Sequence, residues 1–412
     1  MNGLLRRALD QGLALNERAA AAANNAFDWL FLRETLVKSG LTPFKVVHEG
    51  DLMSLRFYAL LSGAQVPLAD GSSLVVPAER HAVPLVLVPP LGVTTETFDL
   101  MPSRSLVRFM AARGFKTYLI DWGKPEKRHA HLGIKDYAIT MMGEALEKVR
   151  EHSGVKEASL MGWCMGGLLC LIHLGATGDK HVRNLVTVAS PIDLRGGGVV
   201  ARTAAVLNTP ARLIRKFSSF RLHDLNPGWL HAPAWMTTLG FKLTDPIGSI
   251  TTYWDLLTRL WDREFVESHS TTSDYLNNML MYPGGVIQDM VVKMAVENRL
   301  ATGRIEVGGT VAELSRIKAN FLAFAGATDH LVPADIARRS VDIVASKDKE
   351  FIIAPGGHMG VILGSKAQKA VWAMSVDWLA PRSRRKAARG RSRADEDLRA
   401  VGRRRDAEDP TL

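Results

Sequence analysis

A series of short, fully apolar segments alternates with amphipathic stretches of helical length, and this pattern most constrains the fold. An apolar run of about four to eight residues is typical of a strand buried on both faces, as in a parallel sheet. The intervening stretches are long enough to return across the sheet as helices. The sequence therefore predicts an α/β domain with a mostly parallel sheet and helices on both faces. The predicted strands are PLVLVPP (84–90), KTYLIDW (116–122), ASLMGWC (158–164), NLVTVAS (184–190), NFLAFAG (320–326) and EFIIAPGG (350–357).

Changes of composition predict five segments along the chain. Residues 1–45 carry apolar positions every three or four residues, which predicts a helical region. Packing on its own domain is the favoured interpretation, and binding to a partner or to a lipid surface is the alternative. Residues 46–194, which begin with a hairpin or edge strands, and residues 319–380 form the two parts of the α/β core. The segment 195–318 breaks the strand–helix rhythm and predicts a mainly helical cap over the carboxyl ends of the strands. Residues 381–412 form a basic, disordered tail.

The predicted cap is rich in tryptophan, with Trp229, Trp235, Trp254 and Trp261. These side chains either line an apolar path for a substrate or form the core of the cap. Both interpretations stay open at this point.

Much of the positive charge lies in the predicted tail. The chain has a formal net charge of +10, and the segment from Arg382 onward holds 11 Lys and Arg against 6 Asp and Glu, with few large apolar residues. This composition is typical of disorder. A basic tail can touch nucleic acid or an anionic surface. A solubilising tail is the favoured interpretation, and no nucleic-acid partner is predicted.

The composition, 47% hydrophobic and 23% charged, predicts a packed globular protein. No apolar run reaches the roughly 18 residues that a membrane span needs. The N-terminus lacks the pattern of a signal peptide, and Cys164 and Cys170 are too few to form a disulfide scaffold. We therefore predict a cytoplasmic protein. Because metal-ligand spacings, phosphate loops and dinucleotide motifs are missing from the sequence, we predict no cofactor and no metal.

The segment MGWCMGG, 161–167, has the pattern glycine–x–nucleophile–x–glycine after an apolar strand. This pattern predicts a nucleophile elbow, a tight turn from strand to helix, with Cys164 as the nucleophile. The helix N-terminus favours the thiolate, and the N–H of Met165 is a candidate donor to an oxyanion. Cys170, inside the helix, is interpreted as a small buried hydrophobic residue.

An acid and a histidine follow in the chain order of an α/β-hydrolase. Asp329 comes after the strand NFLAFAG, and His358 comes after the strand EFIIAPGG. We assign His358 as general base and Asp329 as the carboxylate that orients it. A second oxyanion donor is expected near Leu91 or Gly92, after the strand PLVLVPP. Structural roles are favoured for the other histidines and carboxylates near these motifs, which are His330, His173, Asp121 and Asp193.

The motifs GWCMGG, GATDHLVP and GGHMGV, with SLVRFMAARGFKTYLIDWGKP and LWDREFV, closely resemble those of polyhydroxyalkanoate synthases. The likeness covers roughly residues 80–378 and is strongest to the shorter type that works with a second subunit. It implies Cys164 as nucleophile, Asp329 as acid and His358 as histidine. It also implies polymerisation of (R)-3-hydroxyacyl-CoA with release of CoA. A second synthase subunit or a second copy of the chain, and a polyester granule surface, are the partners that the resemblance implies.

Sulfur at the elbow favours transfer over hydrolysis. A thiolate that attacks an acyl-CoA exchanges one thioester for another, so the acyl group stays activated on Cys164. One departure from the family is the loop PPLGVTTETFDL, which differs from the N-x-x-Y type of segment at this position. A thioesterase, esterase or polyester depolymerase on the same scaffold is the alternative enzyme. A non-enzymatic granule or scaffold protein is the third hypothesis.

Overall fold

The computed structural model describes residues 2–193, 225–243, 253–384 and 392–408. Within these ranges, eight strands form the main sheet, and the predicted α/β architecture with a mostly parallel sheet is confirmed. The strands are β1 (Lys45–Glu49), β2 (Ser54–Tyr58), β3 (Leu85–Val88), β4 (Thr117–Asp121), β5 (Ala158–Trp163), β6 (Val182–Val188), β7 (Asn320–Gly326) and β8 (Lys349–Ala354).

The strands lie in the order β1-β2-β4-β3-β5-β6-β7-β8. β2 pairs antiparallel with both β1 and β4, and the ladders from β4 to β8 are parallel. Every residue of β3 and β5 is buried, because helices cover both faces of the centre of the sheet. The hairpin expected near residues 46–60 is the antiparallel edge that β1 and β2 form.

Two layers of helices enclose the sheet. Helices α4 (Met142–Ser153) and α5 (Met165–Thr177) pack on one face, whereas α3 (Leu106–Ala112) and α11 (Ala373–Arg382) pack on the other. In chain order, the described residues include the α-helices α1 (Asn2–Phe31), α2 (Arg33–Leu36), α3 (Leu106–Ala112), α4 (Met142–Ser153), α5 (Met165–Thr177), α6 (Ala234–Leu243), α7 (Arg263–Asn277), α8 (Gly284–Asp289), α9 (Ala334–Ile343), α10 (Gly360–Leu363), α11 (Ala373–Arg382) and α12 (Arg393–Glu408). π-helical segments at Asp136–Met141, Met290–Val296 and Gln368–Trp372 adjoin three of them.

The N-terminal helices pack against the cap. The side-chain amide of Asn25 donates to the carbonyl of Leu260 at 2.7 Å. Leu36 is fully buried in a small apolar cluster with Leu256 and Val266. The N-terminal region is therefore helical, as predicted, and it packs against the predicted cap.

The described part of the predicted cap is mainly helical, with α6, α7, α8 and a short helix at 253–258. Its predicted start, 195–224, lies outside the described residues. A hairpin of strands Arg304–Val307 and Thr310–Glu313 ends this segment. The hairpin packs on α5, where a Cβ on Gly175 would lie 3.1 Å from the backbone of Glu313. This hairpin therefore packs on the α/β core.

The four tryptophans of the cap, Trp229, Trp235, Trp254 and Trp261, are 78%, 66%, 69% and 43% exposed. Side chains of a packed core are almost fully enclosed. The interpretation of these residues as the core of the cap is therefore wrong. Their role in a substrate path stays a prediction.

The prediction of a disordered tail is wrong for residues 393–408, which form α12. Ala394 is fully buried, and Leu398 packs against the same apolar cluster as α4 and α5. Acidic residues of the helix pair with basic residues of the core, as Asp395 with Lys116 at 2.6 Å, and Asp397 with Lys45 at 2.7 Å and with His152 at 2.9 Å. The prediction used the net positive charge of the whole segment and so overlooked this short acidic run. Residues 385–391 and 409–412 lie outside the described ranges.

Candidate active site

Cys164 lies at a strained turn between β5 and α5. Its backbone has φ 51° and ψ −120°, in a region that residues with side chains rarely adopt. The N–H of Cys164 donates to the carbonyl of Val188 at 2.8 Å, which ties the turn to the end of β6. A Cβ on Gly166 would lie 2.1 Å from the carbonyl oxygen of Val88. The turn therefore requires glycine at this position, as the elbow pattern predicts.

Asp329 and His358 meet at the carboxyl ends of β7 and β8. Nδ1 of His358 and Oδ2 of Asp329 are 2.8 Å apart, and both residues are buried. The other carboxylate oxygen, Oδ1, accepts the backbone N–H groups of Leu331 at 2.9 Å and Val332 at 2.8 Å. These bonds hold the carboxylate in the orientation that the imidazole needs. The structure thus brings the predicted acid and histidine together.

The thiol of Cys164 interacts with the same imidazole. Nε2 of His358 is buried and has no well-aligned hydrogen-bond partner among the described residues, a common state of catalytic groups before substrate binds. Burial lowers the pKa of His358, but its charge and hydrogen-bond interactions with Cys164 and Asp329 outweigh burial and raise the pKa to about 10. An imidazolium beside a thiol stabilises the thiolate. This arrangement can support nucleophilic attack and proton transfer.

The predicted oxyanion donors lie beside the elbow. Met165 is the first residue of α5, and the N–H groups of a first helical turn have no acceptor within the helix. Leu91 and Gly92 belong to the loop that follows β3, and Gly92 has a φ of +78°. The same loop starts next to Val88, which touches the elbow at Gly166. The oxyanion role of all three amides stays a prediction.

Sequence analysis did not single out Tyr282 near this loop. Its hydroxyl donates to the carbonyl of Leu91 at 2.7 Å, although 191 positions separate the two residues. Tyr282 is half-buried. A nearby tyrosine that is fully buried, Tyr275, shares a hydrogen bond of 2.7 Å with the hydroxyl of Thr97. The sequence around Tyr282 contains no motif that predicts this contact.

The competing polar residues make other contacts. His330 is exposed. His173 is buried, and its Nδ1 lies 2.8 Å from a backbone carbonyl of the π-helical segment before α4. Asp121 pairs with an arginine on β2, and Asp193 accepts a hydrogen bond from Asn298 at 2.8 Å. These contacts agree with structural roles.

Across the described ranges, no three side chains of metal-binding type converge. A search of the same residues for a helix that is both long enough and apolar enough to cross a bilayer also found none.

The fold and the elbow define the class of protein. The chain belongs to the α/β-hydrolase fold family, whose model matches residues 92–365. Among solved structures, a soluble variant of monoglyceride lipase from Saccharomyces cerevisiae superposes with a TM-score of 0.50 at 14% identity, over 85% of this chain and 97% of that chain. This likeness is one of fold alone.

Within that class, the chain resembles poly(3-hydroxyalkanoate) polymerases. It is 28% identical to the PhaC subunit of that polymerase from Haloferax mediterranei, over 92% of this chain and 71% of the relative. It is 26% identical to the PhaC subunit from Allochromatium vinosum, over 84% of this chain and 91% of the relative. The resemblance that the motifs predicted is confirmed.

Proposed function

We propose that the protein is an acyltransferase that polymerises (R)-3-hydroxyacyl-CoA through an acyl-enzyme on Cys164. The observation that carries this proposal is the strained Cys164 beside a histidine that Asp329 orients. The similarity to polymerase subunits supports the reaction class.

In the first step, the Cys164 thiolate attacks the carbonyl carbon of the acyl-CoA thioester. The carbonyl oxygen becomes an oxyanion, which the N–H of Met165 and an amide of the Leu91–Gly92 loop stabilise. The oxyanion intermediate collapses when the bond from carbon to the CoA sulfur breaks. The leaving CoA thiolate takes the proton of His358, so CoA leaves as a thiol and the histidine becomes neutral.

In the second step, neutral His358 removes the proton from the 3-hydroxyl of another acyl unit. The hydroxyl oxygen attacks the thioester carbonyl on Cys164, and the bond between carbon and the Cys164 sulfur breaks. The new bond is an oxoester, and the thiolate of Cys164 returns beside an imidazolium. Asp329 stabilises that imidazolium and keeps Nδ1 protonated, so that Nε2 faces the reacting groups.

The two proposed steps need no metal or cofactor, because the CoA thioester supplies the activated acyl group. Cysteine is suited to this role, since a thiolate is a strong nucleophile near neutral pH. We expect the protein to work in the cytoplasm at the surface of its polyester product. A second synthase subunit or a second copy of the chain is the proposed partner. Two of the chain's relatives are named as subunits of a polymerase, which supports this proposal.

The test is the product formed from 3-hydroxybutyryl-CoA by the purified chain. Released CoA together with insoluble polyester supports the proposal. Released CoA with free hydroxy acid alone supports a thioesterase instead. Mass spectrometry of the peptide that contains Cys164 is expected to detect a hydroxyacyl adduct during turnover.

Variants of the two cysteines sharpen this experiment. We expect Cys164→Ala to abolish acylation and Cys164→Ser to leave weak activity at most, because an oxoester on serine is less activated. Cys170→Ala is the matched control: Cys170 is fully buried, burial raises the pKa of its thiol, and its loss should leave turnover intact. Wild-type activity in Cys164→Ser would contradict the thioester argument.

A further inference from the structure

The cap holds two neighbouring carbonyl groups of the loop after β3, those of Leu91 and Gly92. The hydroxyl of Tyr282 donates to the carbonyl of Leu91 at 2.7 Å. Two residues earlier, the N–H of Leu280 donates to the carbonyl of Gly92 at 2.8 Å. The tyrosine ring also fills the space beside Gly92, where a Cβ would lie 2.3 Å from Cε2 of Tyr282. The position of this loop thus depends on the segment 280–282.

These bonds fix the direction of a backbone amide. The carbonyl of Leu91 and the N–H of Gly92 belong to one planar peptide group and point in opposite directions across it. A hydrogen bond that holds the carbonyl of Leu91 toward Tyr282 therefore holds the N–H of Gly92 away from Tyr282. The positive φ of Gly92, +78°, then turns the chain into the next peptide.

Tyr282 is itself held firmly. Its N–H donates to the carbonyl of Ala232 at 3.0 Å, and its carbonyl accepts the N–H of Ala232 at 3.1 Å. Burial raises the pKa of the Tyr282 phenol, and the charge of Cys164 adds to this effect. The hydroxyl therefore keeps its proton and stays a donor. The side chains of Tyr282 and Cys164 also pack against the same apolar cluster.

We propose that Tyr282 is a positioning residue that sets the amide of Gly92 as the second oxyanion donor for acyl transfer at Cys164. The inference rests on the proposed function and deepens it, since the cap would then take part in stabilising the transition state. Tyr282 acts through the loop and does not touch the reacting atoms.

The variant Tyr282→Phe removes the hydroxyl and keeps the ring beside Gly92. Acylation can be followed as the burst of p-nitrophenolate that p-nitrophenyl acetate releases. The reaction of this ester with Cys164 forms an oxyanion, but it does not require the enzyme to recognise a hydroxyacyl-CoA. Loss of an oxyanion donor costs about 10²–10³-fold in rate. Because the amide remains but loses its anchor, we expect the maximal acylation rate to fall about 10-fold, with the half-saturating ester concentration nearly unchanged.

Tyr275→Phe is the matched control. It removes the hydroxyl of a different tyrosine, which is buried and bonds to Thr97, and we expect its acylation rate to stay within about 2-fold of the wild type. Alkylation of Cys164 by iodoacetamide adds a second measurement in every variant. Alkylation needs the thiolate and an intact fold but forms no oxyanion, so Tyr282→Phe should alkylate at the wild-type rate.

An unchanged acylation rate in Tyr282→Phe would overturn this proposal. So would an equal loss of acylation and alkylation, because it would assign Tyr282 to the thiolate or to folding. Wild-type protein that is acylated by the ester but makes no polyester from 3-hydroxybutyryl-CoA would contradict the polymerase proposal and leave this one standing. Wild-type protein that no ester acylates would overturn both.

Discussion

At the scale of single residues, the Asp329–His358 contact leads to a prediction about the two proposed steps. Acylation starts from a thiolate that already faces a protonated imidazole, whereas chain transfer requires neutral His358 to take a proton from a hydroxyl. We expect Asp329→Asn to slow polymer formation by about 10²-fold or more. The single-turnover burst of CoA should slow less. Stopped-flow detection of released thiol, compared with steady-state turnover, measures both rates.

The matched control for this substitution is the neighbouring residue. His330 is exposed, and the partner of Nδ1 of His358 is Asp329, so His330→Ala should leave both rates at the wild-type level. If Asp329→Asn slowed the CoA burst and polymer formation by the same factor, the carboxylate would support the fold of the loop and have no separate role in proton transfer.

The sequence was sufficient to locate Cys164, Asp329 and His358, because each follows a recognisable apolar strand. The carboxyl ends of neighbouring parallel strands meet at one edge of a sheet, so their spatial approach follows from the chain order. Tyr282 could not be found this way. Its contact with Leu91 depends on how the cap folds over the core, which no local pattern records.

At the scale of elements, α12 shows how a few charged residues dock a basic segment. Lys116 is almost fully buried and pairs with Asp395 at 2.6 Å. We expect Asp395→Asn to lower the free energy of unfolding by about 1–2 kcal/mol, since this partly exposed pair is screened by solvent. Urea unfolding at pH 7 measures this change. Glu396→Gln, an exposed change one residue away, should alter it by less than about 0.5 kcal/mol.

The same ion pair predicts a pH dependence. Burial raises the pKa of Asp395, but Lys116 and Ser392 outweigh burial and leave the pKa below its ordinary value of 3.8. A lowered carboxyl pKa stabilises the fold above the ordinary value, and this contribution is lost as the pH falls through the lowered value. The difference in stability between wild type and Asp395→Asn should therefore be constant from pH 5 to pH 8 and shrink below about pH 4. A difference that persists at lower pH would contradict the ion-pair account.

The tail also marks a limit of prediction from sequence. Its excess of Lys and Arg is typical of disorder, and that average hides the acidic run at 395–397. The partners of this run, Lys45, Lys116 and His152, are distant in sequence and come together only in the folded core. Helix formation by α12 therefore depends on tertiary contacts more than on the composition of the segment.

At the scale of the whole molecule, the N-terminal helices and the cap are joined. Leu36 lies in an apolar cluster with Leu256 and Val266, and the backbone N–H of Lys38 donates to the hydroxyl of Thr271 on α7 at 2.9 Å. The chain then runs on to the core, where Thr42 bonds to the carboxylate of Asp99 near the β3 loop. The N-terminal region thus connects the cap to the core. It lies outside residues 92–365, the segment that the α/β-hydrolase family model matches.

This connection predicts that the stability of α7 depends on Leu36. Leu36→Ala removes a fully buried side chain from the contact with α7, which should destabilise that contact by about 2 kcal/mol or more. Local opening should then become about 30-fold more frequent, so hydrogen exchange of residues 263–277 should speed up while β5 and β6 keep their protection. Leu32→Ala, at a leucine that is 47% exposed in the same segment, should leave exchange unchanged. Faster exchange throughout the sheet in Leu36→Ala would show instead that the N-terminal region and the core unfold as one unit.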